Sequence, residues 1–332
     1  MRTKTYKVLL FGIIFSLLAS GVFAQIQFED FKNSFSDFSG DVARALPQAA
    51  TMGLDWSDAR VRGFPHLGAG LTLGAVMIPK DAFLDLADGI GATLPDKVKD
   101  SKLGVPLPAY TLDARIGIPF LPIDVGAKLG LFTPEMAEKV GGLGGVTADY
   151  MLAGFELRYP VLKGNLVLPA VALSAEYSYL SGGVGTSVTG LDTSIADVEG
   201  FTINMDDPDV RFEWQTHAVD FKVQASKNLL IFTPYVGGAY TYGWSRAGGG
   251  VSADLDFGGA TEEEVRDALE EAGYDIELDD SSFTIFSDAT GGALRAFGGF
   301  SVNLLILRLD LNAQYNFATQ GLGAGLNVRV QL

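Results

Sequence analysis

The chain has 332 residues, 41 of them glycine and none cysteine, with a formal charge of −16 and a mean hydropathy of +0.23. Without thiols it has no disulfide and no cysteine-ligated zinc site. Its acidic balance excludes nucleic acid as a partner, because such binders need a basic face.

The first element is a leader. Arg2, Lys4 and Lys7 open it, an apolar run from Val8 to Leu18 follows, and Val22-Phe23-Ala24 precede Gln25. This reads as a secretory signal peptide over 1–24, its apolar run shorter than the about 20 residues of a spanning helix. Removing its three cations leaves −16 − 3 = −19. No later stretch is long and apolar enough for a transmembrane helix. An exported, apolar, glycine-rich chain of this kind points to a closed barrel, the other structure that satisfies every backbone group in lipid.

Residues 25–65 come next and are not strand-like. Phe28, Phe31, Phe35 and Phe38 recur at helical spacing, and Asp55, Asp58, Arg60 and Arg62 follow in a polar stretch. Two readings stand: a plug in the periplasmic mouth of the barrel, with these eight residues as its candidates, or an amphipathic helix on the barrel or membrane surface. A plug would bring Asp55, Asp58, Arg60 or Arg62 to lumen charges such as Arg115 or Asp113.

From His66 onward the apolar period is two, the mark of strands with unlike faces. Leu67, Ala69, Leu71 and Leu73 alternate with Gly68, Gly70, Thr72 and Gly74; Leu307, Leu309 and Leu311 alternate with Arg308, Asp310 and Asn312. Ten strands are predicted, near 66–78, 109–120, 122–132, 146–159, 165–180, 210–225, 229–245, 282–303, 305–318 and 322–332, with eight to fourteen left open. A phase slip between Trp214 and Val219 predicts a bulge. Short links near Phe120–Pro122, Pro160–Gly164, Ser226–Asn228 and Asn303–Leu305 alternate with long ones at 79–108, 133–145, 181–209 and 245–281. Short periplasmic turns and long outer loops make this pattern, which places Lys163 and Asn228 in the periplasm and Glu270 outside. The fold class is thus all-β: a transmembrane antiparallel up-and-down barrel over 66–332 with a short helical N-terminal segment. Aromatics at strand ends, among them Tyr110, Tyr159, Phe212, Trp214, Trp244 and Phe317, fit two interfacial girdles.

Leader, alternating strands and the apolar C-terminal Leu332 together resemble the bacterial outer-membrane β-barrel class, porin-like, which implies the outer membrane as location. Many members of that class end in Phe or Trp, where this chain has Leu332. The segment ahead of strand one is similar to the hatch of long-chain fatty-acid transporter barrels.

The face opposite the apolar one carries Asp113, Arg115, Asp124, Lys128, Glu156, Arg158, Glu176, Asp220, Lys222, Arg295, Arg308, Asp310 and Arg329. These either rim a water channel and set its selectivity or pair with one another inside a filled barrel. The loops are acidic: 181–209 has six acids and no base, and 245–281 has twelve acids against Arg246 and Arg266. Within the latter, Thr261 and Glu264 form a capping box for a helix to Ala272. Such loops are a solvated surface or bridge through divalent cations to surface glycolipid; no spaced calcium-loop motif is present, and neither a metal site nor a cofactor is assigned. His66, at the start of strand one, and His217, within strand six, are the only histidines, and neither is placed for catalysis, so a non-enzyme is expected. The expected function is a channel or transporter-like pore for small or apolar solutes, with outer-membrane lipid and glycolipid as neighbours. The alternative is a structural or adhesive surface protein with a closed lumen.

Overall fold

The computed structural model describes residues 28–89, 94, 99–139, 146–187, 192–198, 201–256, 261, 277–279 and 282–332. The expected leader lies outside them, as does the expected helix after Thr261. In chain order the elements are α1 (Phe28–Ala50), β1 (Leu67–Ile78), α2 (Lys80–Gly89), β2 (Val105–Gly117), β3 (Asp124–Phe132), α3 (Pro134–Lys139), β4 (Val146–Lys163), β5 (Ala170–Ser187), β6 (Asp192–Val198), β7 (Phe201–Ser226), β8 (Phe232–Asp256), β9 (Glu277–Asp279), β10 (Ser282–Leu304), β11 (Leu307–Asn316) and β12 (Leu322–Gln331).

Ten of these strands form one antiparallel wall in the order β1-β2-β3-β4-β5-β7-β8-β10-β11-β12. The wall closes where β12 returns to β1, with Gly68 opposite Gln331 and Val76 opposite Gly323. The hairpin strand β6 adds to β7, and the three-residue β9 to β10. Closure leaves no free edge through the ring, as a lipid surround requires. Leu71, Leu112, Leu129, Phe155, Leu173, Phe221, Val236, Leu294, Leu311 and Val328, from all ten strands, are exposed on the outer face and form a continuous apolar belt.

The wall is uneven in height. β3, β11 and β12 have 9, 10 and 10 residues, whereas β7, β8 and β10 have 26, 25 and 23. About 9–11 tilted residues cross a membrane, so the tall strands stand well clear of it. This corrects the long links expected at 181–209 and 245–281: residues 181–187, 201–209 and 245–256 are strand. Glycine fills much of these stretches, at 182, 183 and 185 and at 248–250, and residues without side chains show no apolar period. At the other end the tight turns are 118–123, 164–169, 227–231 and 305–306, and β4 runs through the expected link at 160–163 by way of a register shift between Pro160 and Leu162.

The bulge expected between Trp214 and Val219 is absent, since β7 keeps unbroken register with β5 and β8 from Val210 to Ser226. The slip in the pattern arises because Phe212 and Trp214 point inward and are buried, while Lys222 and Gln224, inward on the same strand, are buried polar groups. Phe212 and Trp214 therefore leave the expected girdle.

The interior has two storeys. Toward the loop end, α1 lays Phe35, Phe38, Val42 and Leu46 against Phe83 and Leu86 of α2 and against Leu152, Leu180, Phe212 and Ile285 of the wall. Phe38 meets the rings of Phe83 and Phe212 at centroid distances of 5.0 and 5.4 Å. The three-to-four spacing of these side chains makes one stripe on α1, and α1 ends where Thr51 Oγ1 donates to Gln48 O at 2.8 Å. Toward the turn end the interior is polar and holds residues 54–60, which follow the turn at 51–53 and form neither helix nor strand. The N-terminal segment thus occupies the length of the barrel, its helix at the loop end and away from the mouth at which the chain enters β1.

Candidate functional site in the barrel lumen

Residues 53–60 lie against a ring of inward side chains contributed by nearly every strand. Gly53 allows the turn out of α1: its φ is +119°, and a Cβ there would press on Thr111 Oγ1 and stand 3.1 Å from Lys128 Cδ. Leu54 O accepts from Arg115 Nη2 at 3.0 Å.

Asp55 is the ionic anchor. Its carboxylate accepts from Lys222 Nζ at 3.0 Å and from Arg295 Nη1 at 2.9 Å. Lys222 reaches Glu156 at 2.8 Å and Glu176 at 2.6 Å, and Arg295 reaches Asp220 at 2.7 Å. Glu176 in turn accepts from Lys128 at 2.5 Å, and Glu156 from Arg115. Arg158 binds Asp124 through Nε at 2.8 Å and Nη2 at 2.7 Å. These buried charges each have an opposite partner, as burial demands, whereas buried Asp113 is held by neutral donors.

Trp56 is the aromatic anchor. Its Nε1 donates to Asp113 Oδ1 at 2.7 Å, and its carbonyl accepts from Gln224 at 2.7 Å. Arg115 and Arg329 lie at 4.9 and 4.6 Å from its ring centroid, and a buried indole favours such cations. Gly68 in β1 makes the space, since a Cβ there would stand 2.8 Å from Trp56 Cη2. Asp113 also accepts from Thr72 at 2.8 Å and Asn327 at 3.1 Å. Below Trp56, Ser57 N donates to Asp310 Oδ2 at 3.2 Å, Asp310 pairs with Arg329, and Ala59 N donates to Ser226 Oγ at 2.8 Å.

Of the thirteen inward charges read from sequence, Arg308 alone is half-exposed, at the turn-side mouth; the others are buried. The N-terminal acids and bases divide. Asp55 pairs with two of the lumen charges, Lys222 and Arg295, rather than with Arg115. Asp58 is buried, with its carbonyl accepting from Arg158 at 2.8 Å and its carboxylate from Arg60 N at 3.0 Å. Arg60 is half-buried and Arg62 exposed. Phe35 and Phe38 lie in the apolar storey, and Phe28 and Phe31 belong to the first turn of α1. Trp56 was not legible as a site residue; its one signal is a lone indole among the short polar residues Asp55, Ser57 and Asp58.

The two histidines lie far apart along the wall. His217 faces outward, its Nδ1 2.7 Å from the Tyr177 hydroxyl. His66 sits at the turn-side mouth, where Gln331 Nε2 donates to its Nε2 at 2.7 Å and Arg329 Nε fixes the Gln331 amide by donating to Oε1 at 3.1 Å. Burial and the Arg62 guanidinium push the imidazole down to about 4, and protonation would set two donors face to face. The unfolded chain takes up this proton first as pH falls, so stability contributed by neutral His66 is full above about 6.5 and is lost between there and about 4. The thermal midpoint is expected to drop less from pH 7 to 5 in His66→Leu than in the parent, as read by heat-modifiability on gels. Equal drops would remove His66 from the linkage. No group of three His, Cys, Asp or Glu suited to a metal occurs among the described residues.

A closed ladder, an apolar belt outside it and paired charges within it leave one surround that fits. The chain is an outer-membrane β-barrel. No family model matches the barrel's sequence, and no curated protein does. Its fold is similar to the translocator domain of the autotransporter NalP from Neisseria meningitidis (TM-score 0.36, 10% identity, 90% of this chain and 98% of that one). It is also similar to the outer membrane protease OmpT from Escherichia coli (TM-score 0.35, 9% identity, 80% and 95%) and the Ralstonia pickettii toluene transporter TbuX (TM-score 0.24, 10% identity, 80% and 88%). At these values the barrel's membrane placement rests on its belt and closure.

Proposed function

We propose that this barrel is a gated outer-membrane channel for small or apolar solutes, shut at rest by its own residues 28–62. One observation carries the reading: the wall closes without the segment. Every strand of the ring pairs with wall neighbours, and no ladder bond runs to residues 28–62. The segment is held by side-chain contacts and joined covalently at one point, ahead of β1. Withdrawing it therefore breaks the dock of Asp55 and Trp56 but no backbone pairing of the wall. The apolar storey favours apolar solutes, and a cavity of about 360 Å³ beside α1, between Arg44, Pro47, Thr241, Gly291 and Thr319, offers a path past the helix.

The test is deletion of residues 26–60 behind an intact leader. Single-channel conductance in a planar bilayer is expected to rise from near silence to that of an open pore, with the barrel still heat-modifiable. The core-like packing of Phe35, Phe38 and Leu46 favours the second reading, a structural or adhesive barrel that stays closed. Unchanged conductance in a well-folded deletion barrel would select it.

A further inference from the structure

The tight turns are the least expected surface of the molecule. Turn tips favour Gly, Asn and Asp, yet each turn here carries bulky apolar residues aimed away from the protein. Phe120 is 105% exposed, Leu166 99%, Leu230 96% and Leu305 98%. Their neighbours Leu121, Val167, Leu168, Leu229, Ile231 and Ile306 are exposed too. Phe120, Leu230 and Leu305 also adopt left-handed backbone, at φ of 66°, 54° and 57°, where a bulky side chain is strained. An apolar residue kept in a strained, fully exposed position implies an apolar surround.

Three observations say which surround. First, the tips continue the lipid-facing belt without a break, as in the run Val236, Phe232, Ile231, Leu230 on one hairpin and Phe300, Leu304, Leu305 on the next. Second, the short strands need them: 9 or 10 residues at about 3.3 Å each, tilted ~45°, rise only about 21–23 Å, below the ~25 Å of a barrel's apolar band. Third, the exposed side-chain charge at this end has one sign. Arg62 and Lys163 are exposed, Lys227 and Arg308 half-buried, and the nearest acids, Asp58, Asp124 and Asp310, are buried.

We propose that the turn end of the barrel is sunk in phospholipid, with Phe120, Leu166, Leu230 and Leu305 entering the acyl-chain boundary of the leaflet on that side while Arg62 and Lys163 reach anionic headgroups. Long basic side chains reach such headgroups from below by snorkelling, and short turns place this leaflet on the periplasmic side. The turns are then anchors that set the depth of the barrel, independently of whether its lumen opens.

The chain has no cysteine, so Leu230→Cys and Leu305→Cys in the full-length protein each accept one environment-sensitive fluorophore. In vesicles of phosphatidylethanolamine and phosphatidylglycerol, emission blue of its position in water is expected, with quenching by a lipid-borne nitroxide several-fold stronger than by iodide. Stronger quenching by iodide would overturn the proposal. Protection from iodide in native outer membranes but not in pure vesicles would overturn it as well, and would assign the tips to a periplasmic protein. Leu166→Cys and Phe120→Cys repeat the measurement on separate turns if either first variant loses heat-modifiability.

Discussion

Asp55→Ala is expected to destabilise docking of the N-terminal segment by about 3 kcal/mol, the low end of the range for breaking a buried ion pair. The low end applies because Lys222 keeps Glu156 and Glu176, and Arg295 keeps Asp220, when Asp55 is gone. What is lost is the one carboxylate that ties the segment to two wall cations on strands β7 and β10. The effect should be local. Residues 51–62 should become open to protease from the turn-side mouth, while heat-modifiability of the wall is retained. If the segment remains protected and the midpoint is unmoved, Asp55 is not the anchor. Loss of both protection and heat-modifiability would mean that wall and segment form one cooperative unit.

Arginine at Leu311 should destabilise the barrel by about 2–4 kcal/mol, as measured for barrel lipid faces near the bilayer midplane, and Ala127→Arg by a similar amount. Both residues are exposed on the belt. The same change at Gln215, outward on β7 above the belt, should cost about 0–1 kcal/mol, because cost falls toward the interface. Urea unfolding from phospholipid vesicles measures all three. Equal effects would mean that the belt does not meet lipid. Alternation alone makes Asn312→Arg mild too, since Asn312 lies on the opposite face. With the lumen filled it is half-buried beside Gly325 and Met52, and a guanidinium has no room there.

The part of the fold that was legible is the part where lipid and interior impose opposite chemistry on alternate residues. Thus Leu307 to Leu311 marked β11 within two residues at its start, and the wall charges fell on one face of their strands. Where the two faces are not opposed, the period disappears. Gly182, Gly183 and Gly185 of β5 and Gly248 to Gly250 of β8 carry no side chain and were read as loop; Phe212 and Trp214 meet α1 on the inner side and were read as a slip. For the site, the wall charges were legible as a set, but their pairing was not. Alternation says that Lys222 and Arg295 point inward; it does not say that both converge on Asp55, 167 and 240 residues away in sequence. Trp56 was hidden for the same reason, since its partners lie on β1, β2, β7 and β12.

The junction of β1 with β12 joins residues more than 240 positions apart, the most distant pairing in the ring, and such contacts carry the greatest loop-closure penalty. It is therefore expected to form last. Residues 28–62 precede β1 and are present from the start, and Asp55 is the carboxylate that they add to the wall partners of Lys222 and Arg295. The segment then serves as a mandrel: strands wrap around a core that already offers Asp55 and Trp56, and the ring is sealed over a lumen neutralised as it was built. A chain lacking this core should still close its wall, but more slowly than the parent, with the final seam as the step that lags.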